Sequence, residues 1–427
     1  MKVLWIVNGM LPDFSRALSR RVGNTGGWMP SLIAAIRHHA PGVALYVVCE
    51  ADGDFAAEYN GVHYYSFKRF SLPIPGYSSR RNRFCGKLRR LVAEIRPDVI
   101  HFHGTENGYM AFPEMTWCGV PRVVSLQGVI TGYYPHFLGG LTSRQLFHHR
   151  NWMRWLLLRH DLAFGADSWR EHASRIERMG LVGVRHIAGR TVWDRAWAKA
   201  LAPDAQYHHV GEVLRPEFYN TTRTPTAIKP HSILASAAVK YPLKGGHWLL
   251  EAVAYLKRKY PDITVKFVDA ESKIHPRTLK QRLQATDYHH YIRHLVSNLG
   301  IEENVIFLPG LDASGVVEEL RSAEVFCLPS MVENSPNSLG EAQLIGVPVV
   351  ATDVGGNSSM VENGISGLLV PSGDAAALAF GISELFEKPD FATKLAVKAR
   401  EVALLRHNDM AVVSDLVKCY KEVVGNG

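Results

Sequence analysis

Residues 329–348 read Pro-Ser-Met-Val-Glu-Asn-Ser-Pro-Asn-Ser-Leu-Gly-Glu-Ala-Gln-Leu-Ile-Gly-Val-Pro. They follow one apolar run and lead into another, Val347 to Thr352. Ser335 is a favourable N-cap residue, and Pro336 suits the first helical position. Gly346 is a stop signal, so the stretch predicts a helix over about 336–345 between two strands. This is the local pattern of a parallel α/β sheet.

The same alternation of apolar runs and amphipathic stretches continues outward in both directions. The predicted strands of the first half are Val3 to Val7, Ala44 to Cys49, Asp98 to Phe102 and Val123 to Gln127. Those of the second half are Ile233 to Ala235, Ile263 to Val268, Val305 to Leu308, Val325 to Leu328 and Val347 to Thr352. The strands after Pro97 and Pro121 show little polar alternation, which is typical of parallel sheets covered by helices on both faces. We therefore predict an α/β fold with doubly wound domains.

The length of 427 residues is about three times the usual ~150 residues of one domain, so we predict two domains and a cleft. Residues 220–230 are polar, β-branched and proline-containing, which is typical of a connector. The predicted division is therefore a first domain over 1–219, a linker over 220–230 and a second domain over 231–410. The remaining residues, 411–427, are predicted to form a final helix.

Composition excludes several classes of protein. Hydrophobic residues make up 47% of the chain and charged residues 21%, values of an ordinary globular protein. The apolar runs are shorter than the ~20 residues that span a bilayer, and the N-terminal run lacks a charged leader, so we expect neither membrane insertion nor export. The five scattered cysteines fit a reducing, cytoplasmic setting. The first strand is not followed by the dinucleotide-binding glycine pattern, which disfavours NAD-dependent enzymes.

Positive charge is concentrated in the first half of the chain. Residues 1–200 hold 26 Lys and Arg against 14 Asp and Glu, whereas residues 201–427 hold 22 against 26. Two stretches combine basic residues with apolar and aromatic ones: Arg80 to Ile95, and residues 144–160 with Trp152 and Trp155. Such stretches suit an anionic membrane surface or a lipid-diphosphate acceptor. The alternative is a buried helix with a solvated basic face. Nucleic acid is not predicted, because no nucleic-acid-binding motif accompanies the charge.

The helix predicted after the strand Val325 to Leu328 indicates an anion site. Its free N–H groups and the positive end of its dipole favour a bound diphosphate at the carboxyl end of the sheet. Glu333 and Glu341 flank that site, and carboxylates accept hydrogen bonds from hydroxyl groups. The pair therefore predicts a nucleotide sugar, with the sugar at one glutamate and the ribose at the other. Alternatively, Glu333 is a solvated loop residue and Glu341 a surface residue of the helix.

The pattern Glu333-x7-Glu341, followed by Gly-Val-Pro-Val-Val-Ala-Thr-Asp-Val-Gly-Gly and Asn363-Gly-Ile-Ser-Gly-Leu-Leu-Val-Pro371, resembles the donor-site signature of family 4 retaining glycosyltransferases. Further similar segments are Gly26-Gly27, His101-Phe-His-Gly104, Ser125-Leu-Gln-Gly128, Gly189-Arg-Thr-Val-Trp-Asp194 and Lys244-Gly245. The resemblance implies the GT-B fold, in which two Rossmann-like domains face each other across a cleft. The C-terminal domain would bind the nucleotide sugar and the N-terminal domain the acceptor, and the last helix, about 411–424, would cross back.

Site residues follow from the resemblance position by position. It implies that Glu333 contacts the donor sugar and Glu341 the ribose, while backbone N–H groups around Asn337 and Ser338 hold sugar or phosphate. Lys244 would neutralise the diphosphate, which suits a lysine just before a helix. The family's arginine a few residues earlier is missing, and Lys240 is the candidate substitute, although lysine lacks the bidentate fork of arginine. Ser359 also departs from the family, which more often has glutamate there.

The first domain contributes three further candidates. His101 and His103 share one face of a strand, and the resemblance implies that His103 lines the reaction centre. The alternatives are a packed histidine or a metal-binding pair. Gly26 and Gly27 follow the first strand, so their backbone can approach a phosphate or sugar closely.

The function implied is transfer of a sugar, with retention of configuration, from a nucleotide-diphosphate sugar to a hydroxyl acceptor. We expect a lipid-linked or growing glycan in polysaccharide or glycolipid synthesis as the acceptor. No cofactor or metal is predicted, because we interpret Asp52-Gly-Asp54, formally a metal-nucleotide motif, as a turn. A sugar-nucleotide epimerase or hydrolase, or a nucleotide-binding subunit without activity, remains open as an alternative on the same fold.

Overall fold

The computed structural model describes residues 1–22, 27–69, 77–105, 119–156, 173–236 and 238–425. The chain forms two compact units and passes between them several times. Unit 1 consists of Met1–Thr131, His172–Leu214 and His407–Gly427, and unit 2 of Gly132–Glu171 and Arg215–Arg406. Both units alternate strands with helices, as predicted.

One sheet forms the centre of unit 1. Its strands are β1 (Lys2–Ile6), β2 (Ala44–Ala51), β3 (Phe55–Tyr59), β4 (Val62–Lys68), β5 (Val99–His103), β6 (Arg122–Ser125), β7 (His186–Gly189) and β8 (Gln206–His209). In the described residues their spatial order is β3-β4-β2-β1-β5-β6-β7-β8, and β3 is antiparallel to β4 while the other pairings are parallel. The order reverses between β1 and β5, where open α/β sheets bind ligands. His103 is the last residue of β5 and therefore lies at this position.

Helices cover the sheet of unit 1. They are Pro12–Ala17, Trp28–His39, Tyr77–Ile95, residues 173–181, Val192–Leu201 and Asp409–Gly425, and the short helix Ile130–Tyr133 spans the first change of unit. Helix Trp28–His39 buries Leu32 and Ile36, four residues apart on one face. Helix Asp409–Gly425 buries its own apolar stripe against the same hydrophobic cluster. The last helix is therefore part of the core of unit 1.

A buried hydrogen-bond network anchors this last helix. The Tyr420 hydroxyl accepts from Trp5 Nε1 at 2.8 Å and lies 2.7 Å from His101 Nδ1. Trp5 and Tyr420 are fully buried, and His101 is 1% exposed. Because water cannot replace these contacts, each polar atom depends on its protein partner.

The sheet of unit 2 consists of β9 (Ser232–Ser236), β10 (Thr264–Val268), β11 (Val305–Phe307), β12 (Val325–Leu328), β13 (Val349–Thr352) and β14 (Leu368–Val370). In the described residues the order is β11-β10-β9-β12-β13-β14, and these pairings are parallel. The order reverses between β9 and β12. The carboxyl end of β12, where residues 329–348 begin, therefore lies at the switch point where such sheets bind ligands.

The α-helices of unit 2 are Ser143–His148, Trp152–Leu156, Pro216–Tyr219, Gly246–Leu256, Glu271–Ile274, Leu279–Gln284, Asp287–Leu299, Ala313–Ser322, Asn337–Ile345, Ala375–Glu387 and Pro389–Arg406. Short 3-10 turns occur at Tyr134–His136, Pro225–Ala227, Pro242–Lys244, Glu302–Asn304 and Asn357–Ser359. Within the described part of the chain, none of the helices combines the length and apolar character needed to span a bilayer.

The observed division differs from the predicted one, because part of the first 219 residues packs on the second sheet. Leu141 and Leu146 are buried in the hydrophobic cluster of unit 2. The carbonyl oxygen of Gly139 accepts from Trp248 Nε1 at 3.0 Å. Residues from Gly132 to Glu171 therefore belong to unit 2 and not to a continuous N-terminal domain.

The predicted linker, residues 220–230, is also attached to unit 2. The backbone N–H of Arg223 donates to the carbonyl of Ile345, and that of Lys229 donates to Ser322. The chain enters unit 2 at Arg215 and leaves it after Arg406. The change of unit therefore falls five residues before the predicted linker, and the last segment begins at His407 rather than 411.

The network around Tyr420 gives a first test. Replacing Tyr420 with Phe removes the acceptor of Trp5 Nε1 and the partner of His101 Nδ1 while keeping the ring. Leaving buried polar atoms without partners costs about 1–3 kcal/mol each, so we expect a loss of about 3 kcal/mol in the free energy of unfolding, measured by chemical denaturation. Tyr255→Phe, at a ring that is 48% exposed, is the matched control and should change stability little. Equal effects of the two variants would contradict the role of the network.

Candidate functional site

Residues 329–348 adopt the predicted strand, helix and strand, but the helix begins differently. The helix is Asn337–Ile345, its N-cap is Pro336, and no side chain caps it. The prediction that Ser335 is the cap is wrong, because its hydroxyl lies 3.7 Å from the sulfur of Met360. The N–H groups of Leu339 and Gly340 donate to the carbonyl oxygen of Pro336, whereas those of Asn337 and Ser338 have no carbonyl partner within the helix. An uncapped N-terminus therefore lies beyond the carboxyl end of β12, suited to an anion.

Glu333, in the loop before this helix, is buried and paired. Its side chain is 6% exposed, and Oε1 lies 2.6 Å from Lys244 Nζ. The hydroxyl of Ser330 donates to the same oxygen at 2.7 Å. The interpretation of Glu333 as a solvated loop residue is therefore wrong. Within the described residues both contacts involve Oε1, and Oε2 is the oxygen that can accept from a ligand hydroxyl.

Two glycines let the surrounding loops approach Glu333 and Lys244. Gly355 has φ +54°, and a Cβ there would lie 1.9 Å from the carbonyl oxygen of Glu333. Gly245 has φ +70°, and a Cβ there would lie 1.8 Å from the carbonyl oxygen of Pro329. Both positions thus require glycine for conformation and for space. The loop that carries Lys244 and the loop that carries Glu333 are fixed against one another by these contacts.

Glu341 lies in the second turn of the helix and pairs with Arg215. Oε1 of Glu341 lies 2.9 Å from Arg215 Nε and 2.8 Å from Nη2. Burial raises the pKa of Glu341 to about 6, although the arginine opposes this shift. The alternative interpretation of Glu341 as a surface residue is wrong, because it is only 7% exposed. As at Glu333, the contacts within the described residues leave Oε2 for a ligand hydroxyl.

Asn337 and Ser338 form the first turn of the helix between these carboxylates. The side-chain oxygen of Asn337 is buried and, among the described residues, has no hydrogen-bond partner. Buried acceptors are nearly always satisfied, so this atom indicates a donor group that a ligand would supply. The ligand-binding roles of both residues remain predictions.

Lys240, the candidate substitute for the missing arginine, lies in unit 2, four residues before Lys244. It is exposed, and its ammonium group lies 5.6 Å from the ring centre of Tyr241. Although the residue as a whole is exposed, desolvation of its ammonium group lowers the pKa of Lys240, and the charges of Lys273 and Lys244 lower it further. Lys240 can therefore add positive charge near Lys244, but its proposed role is not tested by these contacts.

His103 lines a cavity of about 310 Å³ in unit 1, together with residues that include Asn8, Trp28 and Gln127. Its ring stacks on His101 with 3.8 Å between ring centres. Both ring nitrogens are buried and, in the described part of the chain, have no hydrogen-bond partner. Burial, followed by the charges of His101 and Arg190, holds the pKa of His103 well below its usual value. The ring is therefore neutral, and its nitrogens can hydrogen-bond to a ligand.

His101 shares the predicted face with His103 but has a structural role. Its nitrogens lie 2.7 Å from the hydroxyl groups of Tyr420 and Ser125. Within the described ranges, no group of three His, Cys, Asp or Glu side chains is arranged to hold a metal. Gly27 precedes helix Trp28–His39 as its N-cap, whereas Gly26 lies outside the described residues.

Two other motifs have structural partners. Asp52 pairs with Arg20 at 2.6 Å, and Asp54 pairs with Lys87 at 2.6 Å, on a bend as expected. In the segment Gly189 to Asp194, the carboxylate of Asp194 is fully buried and accepts from the backbone N–H of Arg190. Asp194 also completes a capping box for helix Val192–Leu201. This segment therefore fixes the end of β7.

Sequence reasoning missed Arg215 and Ser330. Arg215 is separated from Glu341 by 126 positions, and nothing in its local sequence indicates the pairing. Ser330 is three residues before Glu333, a spacing that could have indicated a contact within the loop. Both residues hold a site carboxylate in place.

Solved structures share this fold over almost the whole chain. Sucrose-phosphate synthase from Thermosynechococcus elongatus is 15% identical and covers 100% of both chains, with a TM-score of 0.72. The HepE protein of Anabaena, solved with UDP and glucose, is 17% identical and covers 98% of both chains, with a TM-score of 0.66. At these identities the likeness shows the fold alone. That fold is the GT-B fold of glycosyltransferases, as predicted.

Two family models match the chain. Glycosyltransferase Family 4 matches residues 34–164, and Glycosyl transferases group 1 matches residues 221–402. The chain belongs to the family 4 glycosyltransferases.

Curated relatives match only part of the chain. D-inositol 3-phosphate glycosyltransferase of Corynebacterium urealyticum is 31% identical over 186 residues, which is 42% of this chain and 41% of the relative. Phosphatidyl-myo-inositol mannosyltransferase of Mycobacterium leprae is 34% identical over 129 residues, 30% of this chain and 34% of the relative. The chain thus spans less than half the length of each of these relatives.

Gly355 provides a test of how the loops position Glu333. Gly355→Ala costs about 1 kcal/mol, because the alanine must adopt a left-handed backbone conformation. Its Cβ would also displace the backbone of Glu333. Gly346→Ala is the matched control, because its φ is +83° and a Cβ there meets nothing within 4 Å. We expect Gly346→Ala to lose about 1 kcal/mol of unfolding free energy and Gly355→Ala more than about 3 kcal/mol. Similar losses would show that the close approach is unimportant.

The raised pKa of Glu341 gives a pH-dependent test. The folded state binds this proton more tightly than the unfolded state, so its contribution to stability decreases as pH rises from 4.5 to about 6. The expected decrease is about 2 kcal/mol. Glu341→Gln lacks this titration, so its free energy of unfolding relative to wild type should rise by this amount over the same range. A constant difference between the two proteins would contradict the raised pKa.

Proposed function

We propose that the protein transfers a sugar from a nucleotide-diphosphate sugar to a hydroxyl acceptor with retention of configuration. One observation carries the proposal: Glu333 and Glu341 are buried on either side of an uncapped helix N-terminus. Oε1 of each carboxylate is held by protein groups. Oε2 of each can then accept from a hydroxyl, so the geometry suits a ligand with a diphosphate between two hydroxyl-bearing rings.

Each residue has a distinct part in this proposal. Glu333 orients the donor sugar through its hydroxyls, and Glu341 accepts from the ribose. Lys244 and the N–H groups of Asn337 and Ser338 stabilise the charge that develops on the leaving diphosphate. The leaving phosphate takes the acceptor proton as the new bond forms on the face from which it departs. Catalysis then rests on positioning and charge stabilisation.

His103 is proposed to bind a hydroxyl group of a substrate. A neutral imidazole with buried nitrogens can donate one hydrogen bond and accept another, which suits a hydroxyl better than an anion. The names of the relatives indicate phosphorylated inositol or its lipid as acceptor classes of those proteins. We propose a polyol, glycan or lipid-linked acceptor of this chemical type, in surface polysaccharide or glycolipid synthesis.

A peripheral location at the inner face of the membrane is part of the proposal. In helix Tyr77–Ile95 the apolar residues Phe84, Leu88 and Leu91 are buried in the core of unit 1, while Arg89 and Arg90 are exposed. This helix is therefore a buried helix with a solvated basic face, which can attract anionic lipid but does not present its apolar stripe.

The donor site can be tested by thermal unfolding in the presence of UDP, GDP, TDP and ADP sugars. A ligand that binds only the native state raises stability by RT ln(1 + [L]/Kd). We expect one nucleotide class to raise the Tm of the wild type, and Glu341→Ala to abolish the shift. Glu333→Ala and Lys244→Ala should each lower the turnover number by a factor of about 10²–10³. Turnover is measured as the nucleoside diphosphate released when an extract that contains glycan and lipid-linked acceptors is added.

Glu318→Ala is the control, because this side chain is 69% exposed on helix Ala313–Ser322. It should retain both the Tm shift and the turnover. If no nucleotide sugar shifts the transition, the donor site is wrong. If donor is consumed at the full rate without acceptor, the protein is a hydrolase or epimerase and not a transferase.

A further inference from the structure

A second basic site lies in unit 2, apart from the carboxylate pair. A cavity of about 600 Å³ is formed where residues 150–153 pack beside residues 275–293. Its basic side chains are Arg150, His275, Arg277, Arg282, His290 and Arg293. Within the described residues, no acidic side chain lines it. The cavity is therefore suited to an anion that carries more than one negative charge.

Buried hydrogen bonds hold the two walls of this cavity together. Asn151, which is 4% exposed, donates from Nδ2 to the carbonyl oxygens of Arg282 and Ala285 at 2.7 and 2.8 Å. Arg154 Nη1 donates to the carbonyl oxygen of Leu283 at 2.8 Å. The helices Trp152–Leu156 and Leu279–Gln284 are thus fixed against each other. The cavity is part of the folded structure of unit 2.

The positive charge of the cavity is local. Residues 143–156 contain three arginines and no acidic residue. Residues 272–299 contain five Lys and Arg against one acidic residue, Asp287, which is fully buried. Arg277 pairs with Glu271 at 2.7 Å and Lys273 pairs with Asp269 at 3.0 Å, so a part of the charge is compensated. The other cations of residues 272–299 lie in the half of the chain whose total charge is negative, and the arginines of residues 143–156 lie beside them.

Apolar side chains project beside the cavity. Trp152 is 54% exposed, Trp155 51%, Leu156 71% and Leu279 63%. Exposed tryptophan and leucine next to arginine are typical of surfaces that enter the headgroup layer of a membrane. A soluble phosphate would explain the arginines but not this apolar rim.

The aromatic rings are arranged unfavourably for stacking nucleic-acid bases. The rings of Trp152 and Trp155 are nearly perpendicular, at 87°. Arg150 lies 3.7 Å from the centre of the Trp152 ring and so covers one of its faces. Single-stranded nucleic acid requires open aromatic faces along its path. The combination of charge and apolar rim therefore favours lipid.

We propose that this cavity binds the phosphate headgroup of an anionic membrane lipid, while Trp152, Trp155, Leu156 and Leu279 enter the interfacial layer. The site would attach unit 2 to the membrane. This inference rests on the proposed peripheral location and assigns the membrane contact to unit 2; it is independent of the proposed transfer reaction, because none of these residues belongs to the set proposed to bind the donor.

Co-sedimentation of the full chain with vesicles tests the site. We expect binding to vesicles of phosphatidylcholine mixed with phosphatidylglycerol, weaker binding to phosphatidylcholine alone, and a decrease with added salt. A cation near an anionic surface contributes roughly fivefold to binding. Arg282→Glu combined with Arg293→Glu should therefore lower the partition coefficient at least ~25-fold.

The matched control reverses two exposed cations elsewhere on unit 2, Arg258→Glu with Lys394→Glu, and should change binding much less. A second pair of variants tests the apolar rim. Trp155→Ala with Leu156→Ala should lower the partition coefficient about tenfold, whereas Phe380→Ala, at a side chain that is 67% exposed elsewhere on unit 2, should not. Each variant should keep the Tm and the nucleotide-dependent Tm shift of the wild type, which separates this site from the donor site.

Several results would overturn the proposal. Unchanged vesicle binding of the Arg282 and Arg293 variant would exclude the cavity. If only the double variant Arg89→Glu with Arg90→Glu lost vesicle binding, the membrane contact would lie on unit 1. Binding of inorganic pyrophosphate or a single-stranded oligonucleotide that depends on Arg282 and Arg293, without vesicle binding, would assign the cavity to a soluble anion or to nucleic acid.

Discussion

The buried charge of Glu333 constrains the local structure of unit 2 more than any other feature. The side chain of Glu333 is only 6% exposed, and a buried carboxylate charge requires a compensating partner, since burying it alone would cost several kcal/mol. Lys244 provides that partner, and it reaches Glu333 only because Gly245 allows its loop to contact Pro329. Gly355 in turn fixes the backbone of Glu333. The positions of these loops are therefore mutually dependent. One consequence is that an incoming phosphate must share Lys244 with Glu333, whereas a sugar hydroxyl can use the free carboxylate oxygen.

The candidate residues of unit 1 provide a different chemical environment. His103 lies among aromatic rings, is neutral, and makes no polar contact with the described residues. Its neighbour His101 is held by two hydroxyl groups, which fixes the stack of the two rings. A neutral group in an aromatic pocket can orient a hydroxyl without attracting phosphate. The two candidate sites thus differ in chemistry, with paired charges around Glu333 and Lys244 in unit 2 and a neutral ring at His103 in unit 1.

The strands and the helix of residues 329–348 could be predicted because each depends on local sequence. Strand β12 has the predicted bounds, and the helix differs by one residue at its start. The hairpin of β3 and β4 was missed although its turn, Asn60-Gly61, has positive φ at both residues and is a known hairpin signal. The assignment of Gly132–Glu171 to unit 2 could not be predicted, since Leu141 and Leu146 would suit the hydrophobic core of either unit. Arg215, the partner of Glu341, could not be predicted either, because a pairing between residues 126 positions apart depends on the whole fold.

The charge distribution shows why totals over long segments mislead. Screening limits the influence of a surface charge to about 8 Å at physiological ionic strength, so a ligand responds to its immediate surroundings. The second half of the chain has a negative total, yet residues 272–299 are strongly basic and lie beside the arginines of residues 143–156. The segment 143–156, with its arginines and tryptophans, is indicated by the sequence, whereas the segment 272–299 is not, because acidic residues elsewhere in its half cancel its charge. Folding places both segments side by side in unit 2. The sign of a partner must therefore be inferred from charges that the topology brings together.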